Sequence, residues 1–149
     1  MAYSGNIYKM ARNMAGFTQE QAAELLYVGT RTLVEYEAGR TIPSDDTVCG
    51  MIETYGAPWR GYEHLRQSSE VGKRYLPAVD LTDFAKSVLR LQKETGDLDH
   101  IRADMIDIAC DGQVNFDEKE RWGRVEKEIF EMAGAALAVM FCKKEKAVF

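Results

Sequence analysis

The stretch that decides the fold runs from Thr18 to Gly39 and reads TQEQAAELLYVGTRTLVEYEAG. Thr18 and Gln21 have the spacing of a capping box, in which each side chain bonds the other residue's backbone N–H, so a helix is expected to begin there. The helical pattern breaks at Tyr27-Val28-Gly29, and a second short helix is expected from Thr30. Gly39 is expected to end that helix, because glycine adopts the left-handed conformation without steric cost. The stretch therefore predicts two short helices joined by a tight turn.

Further short helices are predicted on both sides of this pair. Apolar residues recur at helical spacing between Asn6 and Ala15, which predicts the first helix. Ser44 or Asp45 is expected to cap a fourth helix that ends at Gly56, and Pro58 is expected to open a fifth. These five short helices predict an all-α N-terminal domain.

The order of these residues resembles the helix-turn-helix of the Cro-like phage-repressor family, also called XRE. The likeness runs from Asn6 to Ser44. It rests on T-Q-x-x-x-A in the first helix of the pair, on the core residues Leu33 and Tyr36, and on Y-E-x-G-x-x-x-P, which ends at Pro43. In such a motif the second helix lies in the major groove of DNA, so the resemblance implies a DNA-binding domain.

The resemblance also implies roles for individual side chains. Those that fall where the family touches base edges are Thr30, Arg31 and Glu35. Those that fall where it contacts DNA phosphates are Gln19, Arg40 and Thr41. Arg12 and Glu37 match a family pair that bridges the first and third helices. Two positions depart from the pattern, because Tyr27 replaces the turn glycine and Gly29 replaces the usual Ser or Thr cap.

Arg31 is the residue from which we expect the main specific base contact. A guanidinium can bond both acceptors of a guanine edge, which is worth about 1–3 kcal/mol of discrimination between bases. Glu35 lies one helical turn further on, where it can brace Arg31 or accept a hydrogen bond from a cytosine amino group.

The second half of the chain is also predicted to be helical. Two apolar stripes of identical spacing, separated by Thr95-Gly96-Asp97, predict two helices, and a third is predicted from Phe116 to Lys143. Gly134 and Ala138 are small residues four apart, which permits a close approach between helices. We expect this long apolar helix to form a dimer interface; the alternative is a three-helix core that closes on itself. Its Ala-rich sequence and the x-D-G-x-V-x-x-x-E turn before it resemble the C-terminal half of Cro-like regulators of Gram-positive bacteria.

The whole chain is thus predicted to be all-α, with a five-helix Cro-like helix-turn-helix domain and a three-helix C-terminal domain that has a long last helix. The predicted boundaries are 1–68 for the DNA-binding domain, 69–79 for a linker and 80–149 for a helical dimerisation domain. The linker is inferred from its mixture of small, charged, Pro and Gly residues.

Composition and charge limit the classes of function. The 149 residues carry a net charge of −5, and residues 1–76 hold eight basic and nine acidic groups. Because phosphate attraction drives non-specific DNA affinity, we expect non-specific binding to be weak. Useful affinity for DNA would then depend on dimerisation or on a specific site. The three cysteines show no C-x-x-C, and the first residues show no apolar signal region, which favours the reducing cytoplasm. The longest apolar stretch, Met132–Cys142, is too short to span a membrane.

No metal, cofactor or catalytic site is expected. The residues from Asp107 to Glu118 partly match an EF-hand loop, but Ala109 stands at its third ligand position. We interpret this segment as a helix-loop-helix in which Asp111-Gly112 turns the chain. No motif of a phosphate loop, a zinc protease or a serine hydrolase occurs in the sequence, so an enzyme is not expected.

The sequence therefore predicts a bacterial, cytoplasmic transcriptional regulator, a repressor of phage or mobile-element type that binds double-stranded operator DNA as a homodimer through its C-terminal helices. The alternative is a protein-interaction module or antitoxin-like adaptor whose helix-turn-helix serves mainly assembly.

Overall fold

The computed structural model describes residues 6–81, 83–142 and 144, and its regular structure there is entirely α-helical, as predicted. The helices in chain order are α1 Ile7–Ala15, α2 Gln19–Leu25, α3 Thr30–Glu37, α4 Asp45–Tyr55, α5 Trp59–Gln67, α6 Glu70–Tyr75, α7 Phe84–Ala109 and α8 Lys119–Phe141. The chain divides into two compact units, Met1–Leu76 and Pro77–Phe149. No helix in the described residues has both the length and the hydropathy needed to cross a membrane.

The helix boundaries in the N-terminal unit follow from capping side chains. The predicted capping box is confirmed, because Thr18 Oγ1 accepts from Gln21 N at 3.2 Å and Gln21 Oε1 accepts from Thr18 N at 2.9 Å. The Asn6 side chain caps α1 and the Ser44 side chain caps α4. Gly39 follows α3 with a φ of 70°, the left-handed conformation expected of it.

The core of the N-terminal unit lies where α3 packs on α2. Leu33 is fully buried against the small side chains of Ala22 and Ala23, which allow the two helices to approach closely. Met51 and Tyr55 of α4 close the core from another side. Burying a leucine of this kind stabilises the fold by about 1.5–3 kcal/mol. This packing fixes which face of α3 points into the core and which points to solvent.

A buried ion pair joins α1 to the end of α3, as the sequence resemblance implied. Arg12 Nε donates to Glu37 Oε1 at 2.5 Å, and its second terminal nitrogen donates to Glu37 Oε2 at 2.9 Å. Arg12 also donates to the backbone carbonyl of Phe17 at 2.7 Å, and Gln19 Nε2 donates to Glu37 Oε2 at 2.8 Å. The two charges are therefore paired in a planar, two-point geometry, and each side chain makes one further hydrogen bond.

These contacts shift the pKa of both partners. Burial alone would raise the pKa of Glu37, but the hydrogen bonds from Arg12 and Gln19 and the charge of Arg12 outweigh burial and lower it. The hydrogen bond to Glu37 raises the pKa of Arg12. The pair is therefore ionised at neutral pH and stabilises the folded state only while Glu37 is deprotonated.

The turn between α2 and α3 keeps its geometry although Tyr27 replaces the turn glycine. Tyr27 has a φ of 54°, and its backbone N–H donates to the carbonyl of Glu24 at 3.2 Å. Its side chain is 96 % exposed, so the strained backbone is not offset by burial of the ring. A left-handed conformation costs a non-glycine residue about 1–2 kcal/mol.

The C-terminal unit contains two helices in its described residues, so the prediction of three helices there is wrong. The segment Thr95-Gly96-Asp97, expected to separate two helices, lies inside the 26-residue α7. Leu91 and Leu98 are seven residues apart, so the apolar stripes on either side of Gly96 are in phase and form one continuous face. One helical glycine costs only about 1 kcal/mol relative to alanine, which the continuous packing against α8 offsets.

The last helix is long, as predicted, and runs from Lys119 to Phe141. Phe116, the predicted first residue, precedes the helix, and Lys143, the predicted last one, lies outside the described residues.

The connection between α7 and α8 uses its carboxylates within the protein. Asp111 accepts from the backbone N–H of Gln113 at 3.0 Å, Glu118 accepts from that of Asn115 at 2.8 Å, and Asp107 pairs with Arg121 at 3.0 Å. The chain turns at Gly112, whose φ is 77°. These bonds hold the carboxylates within a helix-loop-helix in which α8 begins without a side-chain cap.

The segment 69–79, interpreted as a linker, contains a sixth short helix that belongs to the N-terminal unit. The Ser69 side chain caps α6 by accepting from Gly72 N at 3.0 Å. A Cβ added at Gly72 would lie 2.2 Å from the carbonyl oxygen of Leu65, so only glycine allows α6 to approach α5 this closely.

Replacing Tyr27 by glycine should raise the free energy of unfolding by up to about 1 kcal/mol, because it removes the left-handed strain without removing any buried surface. Replacing it by valine should lower the free energy, since a β-branched residue tolerates this conformation least. Urea unfolding of the three proteins measures both changes. A glycine variant less stable than the wild type would contradict the strain assigned to this turn.

Replacing Glu37 by glutamine should lower the free energy of unfolding at pH 7 by about 3–5 kcal/mol, since it leaves the Arg12 guanidinium buried without its counter-charge. The wild type should also lose stability as the pH falls below the ordinary glutamate pKa of 4.5, because the folded-state pKa of Glu37 is depressed. The variant should lack this part of the pH dependence.

Glu35→Gln is the matched control, because it removes a carboxylate of an exposed ion pair and should change stability by less than about 1 kcal/mol. If the free energy of unfolding of Glu37→Gln changes with pH in the same way as that of the wild type between pH 3 and 7, Glu37 does not contribute to the pH dependence of stability.

Candidate nucleic-acid interface

Helix α3 turns one face to the core and the other to solvent. Leu33 and Glu37 are buried, whereas Thr30 and Arg31 are exposed in its first turn. Glu35, one turn further on, is partly exposed on the same side. The structure thus brings together on one outward face the three side chains for which base contacts were predicted.

Arg31 is distinguished by having no partner within the described residues. All other arginines there take part in a hydrogen bond, an ion pair or a contact with an aromatic ring, whereas Arg31 takes part in none. Its five N–H donors are therefore open to solvent or to a ligand. A free guanidinium in the first turn of an exposed helix can bond an acceptor pair without first breaking a contact.

Glu35 pairs with Arg40 and does not brace Arg31, which corrects one of the two possibilities considered for it. Arg40 Nε donates to Glu35 Oε2 at 2.6 Å, and one terminal nitrogen donates to Oε1 at 3.0 Å. The reason is orientation: Arg40 returns over the C-terminal end of α3 after the left-handed turn at Gly39, where its planar fork meets the carboxylate end-on. Both side chains reach solvent, so the pair contributes at most about 1 kcal/mol and can open.

Gln19 lies at the first position of α2 and is tied to the core ion pair. Its Nε2 donates to Glu37 at 2.8 Å, which fixes the direction of the side chain while the second amide hydrogen stays available.

Arg40 and Thr41 lie in the loop after α3, and both are exposed. The predicted phosphate contacts therefore flank α3 in the sequence, Gln19 before it and the loop after it.

Three further exposed side chains lie beside these positions and were not predicted to contact anything: Tyr27, Thr32 and Ile42. Tyr27 is the most exposed large hydrophobic residue in the described part of the N-terminal unit. Its exposure could have been predicted from the sequence. A bulky aromatic at a position that requires positive φ has no place in the core, so it must project from the turn.

Comparison with known proteins agrees with this geometry. The sequence matches the helix-turn-helix family HTH_3 over residues 9–61. It is also similar to a curated protein of Bacillus subtilis (strain 168), the HTH-type transcriptional regulator ImmR, with 34 % identity over 70 residues. That match covers 47 % of this chain and 53 % of the relative, so the chain spans about half the length of the curated relative it matches. No solved structure matched.

The family match and the capped, Leu33-centred helix pair identify the same part of the chain, and the resemblance inferred from the sequence is confirmed. The N-terminal unit therefore carries, over residues 9–61, a helix-turn-helix domain of the Cro-like (XRE) type.

Proposed function

We propose that the protein is a sequence-specific, DNA-binding transcriptional regulator that acts as a homodimer, and that it is a repressor of phage or mobile-element type. The observation that carries this proposal is the exposed face of α3, where Arg31 has no partner among the described residues while the opposite face is locked by Leu33. A rigid helix with a free guanidinium at its start is suited to reading base edges.

The dimensions of α3 fit the proposed role. Its eight residues extend about 12 Å, comparable with the width of the major groove. In this arrangement Thr30 and Arg31 meet base edges first. Gln19 on one side and Arg40 with Thr41 on the other contact the phosphates that border the groove, which positions the helix without specifying sequence.

The Glu35–Arg40 pair gives these contacts an order. Arg40 keeps one terminal nitrogen that does not bond Glu35, and that nitrogen can meet a phosphate while the pair is intact. If Arg40 moves fully onto the phosphate, the Glu35 carboxylate is released and can accept from a cytosine amino group.

Charge explains why we propose a dimer. Residues 1–76 hold eight basic and nine acidic groups, so a single helix-turn-helix unit has little general attraction for DNA. Two copies on two half-sites add their specific contacts and require a fixed spacing. Affinity would then depend on sequence more than on the overall field of the protein.

The C-terminal unit has the surface that such a dimer needs. Its two helices bury few large side chains, of which Ile108 and Val125 are the largest. Phe130 and Met140 of α8 remain 45 % and 66 % exposed. Together with Ala133 and Leu137 they recur at helical spacing, which makes a second apolar stripe on α8 besides the one that faces α7. A second copy of the same hairpin would cover this stripe in a four-helix arrangement.

One observation favours the alternative, a protein-interaction module or antitoxin-like adaptor. The Glu35–Arg40 pair places a carboxylate on the exposed face of α3 and engages a guanidinium that would otherwise face phosphate. Gel-shift assays with DNA from upstream of its own gene distinguish the two functions, because an adaptor gives no sequence-dependent shift.

Replacing Arg31 by alanine should remove about 1–3 kcal/mol of preference for the operator over random DNA while leaving thermal stability unchanged, because Arg31 is exposed and makes no hydrogen bond or ion pair within the described residues. Competition gel shifts measure the preference and thermal unfolding measures the stability. Arg40→Ala should instead weaken specific and random binding alike and reduce the salt slope by about one.

Arg124→Ala is the control for loss of one positive charge, since Arg124 is exposed on α8 in the other unit. If the Arg31→Ala protein keeps the full preference for the operator over random DNA, Arg31 does not make the specific base contact.

The wild type should be a dimer in light scattering at tens of micromolar. Replacing Phe130 and Met140 together by glutamate should yield monomers, because it puts charge into the second apolar stripe. Arg124→Glu changes the charge at an exposed position of the same helix and should leave the dimer intact. A wild-type monomer, or a dimer that survives the double substitution, would rule out this interface.

A further inference from the structure

Three glutamates of the C-terminal unit converge between α7 and α8. Glu94 comes from α7, and Glu128 and Glu131 come from α8, where they are three residues apart on one face. One carboxylate oxygen of each lies within 4.8 Å of the corresponding oxygens of the other two. Ligand oxygens around one cation, each about 2.0–2.4 Å from it, are at most about 4.8 Å from one another. In the described part of the chain no other His, Cys, Asp or Glu side chains are grouped in this way.

Glu94 is the unusual member of this group, because its residue is only 4 % exposed. It occupies the position between Leu91 and Leu98 in the stripe that faces α8, where an apolar side chain is expected. Its Oε2 is buried and has no hydrogen-bond partner among the described residues. A buried carboxylate without partners is strongly unfavourable, so its place in the core requires a positive charge nearby.

Two basic side chains lie near Glu94, but neither makes a close hydrogen bond to its carboxylate. Arg90 Nε and Lys93 Nζ lie 3.6 and 3.5 Å from Glu94 Oε1, distances too long for good hydrogen bonds. Lys93 instead donates to Asp97 at 2.6 Å. Oε2 of Glu94 is therefore left for another ligand.

Lys127 forms only long ion pairs with the two glutamates of α8. Its Nζ lies 3.8 Å from Glu128 and 3.5 Å from Glu131, and most of its side chain is exposed. The ammonium group can therefore leave for solvent when another cation takes its place. An open cleft of about 420 Å³, lined in part by His100, Glu128 and Glu131, leads from solvent to this side.

We propose that Glu94, Glu128 and Glu131 bind one divalent cation of the hard, oxygen-preferring class, such as Mn²⁺ or Mg²⁺. Three carboxylates from the protein and water from the cleft satisfy the octahedral oxygen coordination that these ions prefer. The ion neutralises the buried Glu94 and links α7 to α8. The site lies in the unit proposed to dimerise, but it does not depend on DNA binding.

Titration of the metal-free full-length protein with Mn²⁺ tests the site, with free Mn²⁺ followed by electron paramagnetic resonance. We expect one saturable site per chain and a rise in the melting temperature on binding. Glu94→Gln should weaken binding at least about tenfold, since it removes the buried ligand charge. Glu120→Gln, on α8 like Glu128 and Glu131 but 91 % exposed and outside the cluster, should bind like the wild type.

Lys127→Gln provides a test in the opposite direction. It removes the ammonium that competes for Glu128 and Glu131, so it should tighten Mn²⁺ binding. Circular dichroism of each variant confirms that its helix content is unchanged. The site is refuted by the absence of saturable binding up to about 10 mM Mn²⁺, by Glu94→Gln binding as tightly as Glu120→Gln, or by Lys127→Gln failing to bind more tightly.

Discussion

The buried pair between Arg12 and Glu37 is the contact on which the orientation of the exposed face of α3 depends. It joins the first helix to the last turn of α3, while Gln19 adds α2 to the same carboxylate. The core around Leu33 supplies most of the favourable burial, but apolar contacts alone permit small rotations of a helix. A two-point pair with fixed distances does not, because rotation of α3 would pull a buried charge away from its partner. The orientation of Arg31 thus depends on a contact made on the opposite face of its helix.

The N-terminal helices were predictable because their signals are local. The Thr18–Gln21 box, the Ser44 cap and Gly39 each specify an end of a helix within four residues of themselves, and the structure has the ends there. The residues of the exposed face were also found, since the resemblance fixed their register. What could not be found was the partner of Glu35. A spacing of four residues within a helix favoured Arg31, whereas the actual partner, Arg40, depends on how the chain returns after Gly39.

The C-terminal unit was less predictable for a related reason. Glycine and threonine at 95–96 were interpreted as a break, although the seven-residue interval from Leu91 to Leu98 keeps the apolar face continuous. Glutamate side chains are solvated at the surface as a rule. Glu94 departs from that rule only because α8 covers it, and no local pattern predicts which residues of two paired helices will meet when they are more than thirty positions apart in sequence. Burial of a charged residue is a property of the folded hairpin.

The close approach at Gly72 has a practical consequence for anyone who wishes to express the N-terminal unit alone. Composition suggests trimming the chain near residue 68, where polar and small residues begin. Such a fragment would lack α6 and would leave the side of α5 that α6 covers open to solvent. A fragment that ends after Leu76 keeps that helix, its Ser69 cap and the bond from Arg66 to the Leu76 carbonyl at 3.3 Å. The two end points, residue 68 and Leu76, are eight residues apart, and only the second keeps the N-terminal unit complete.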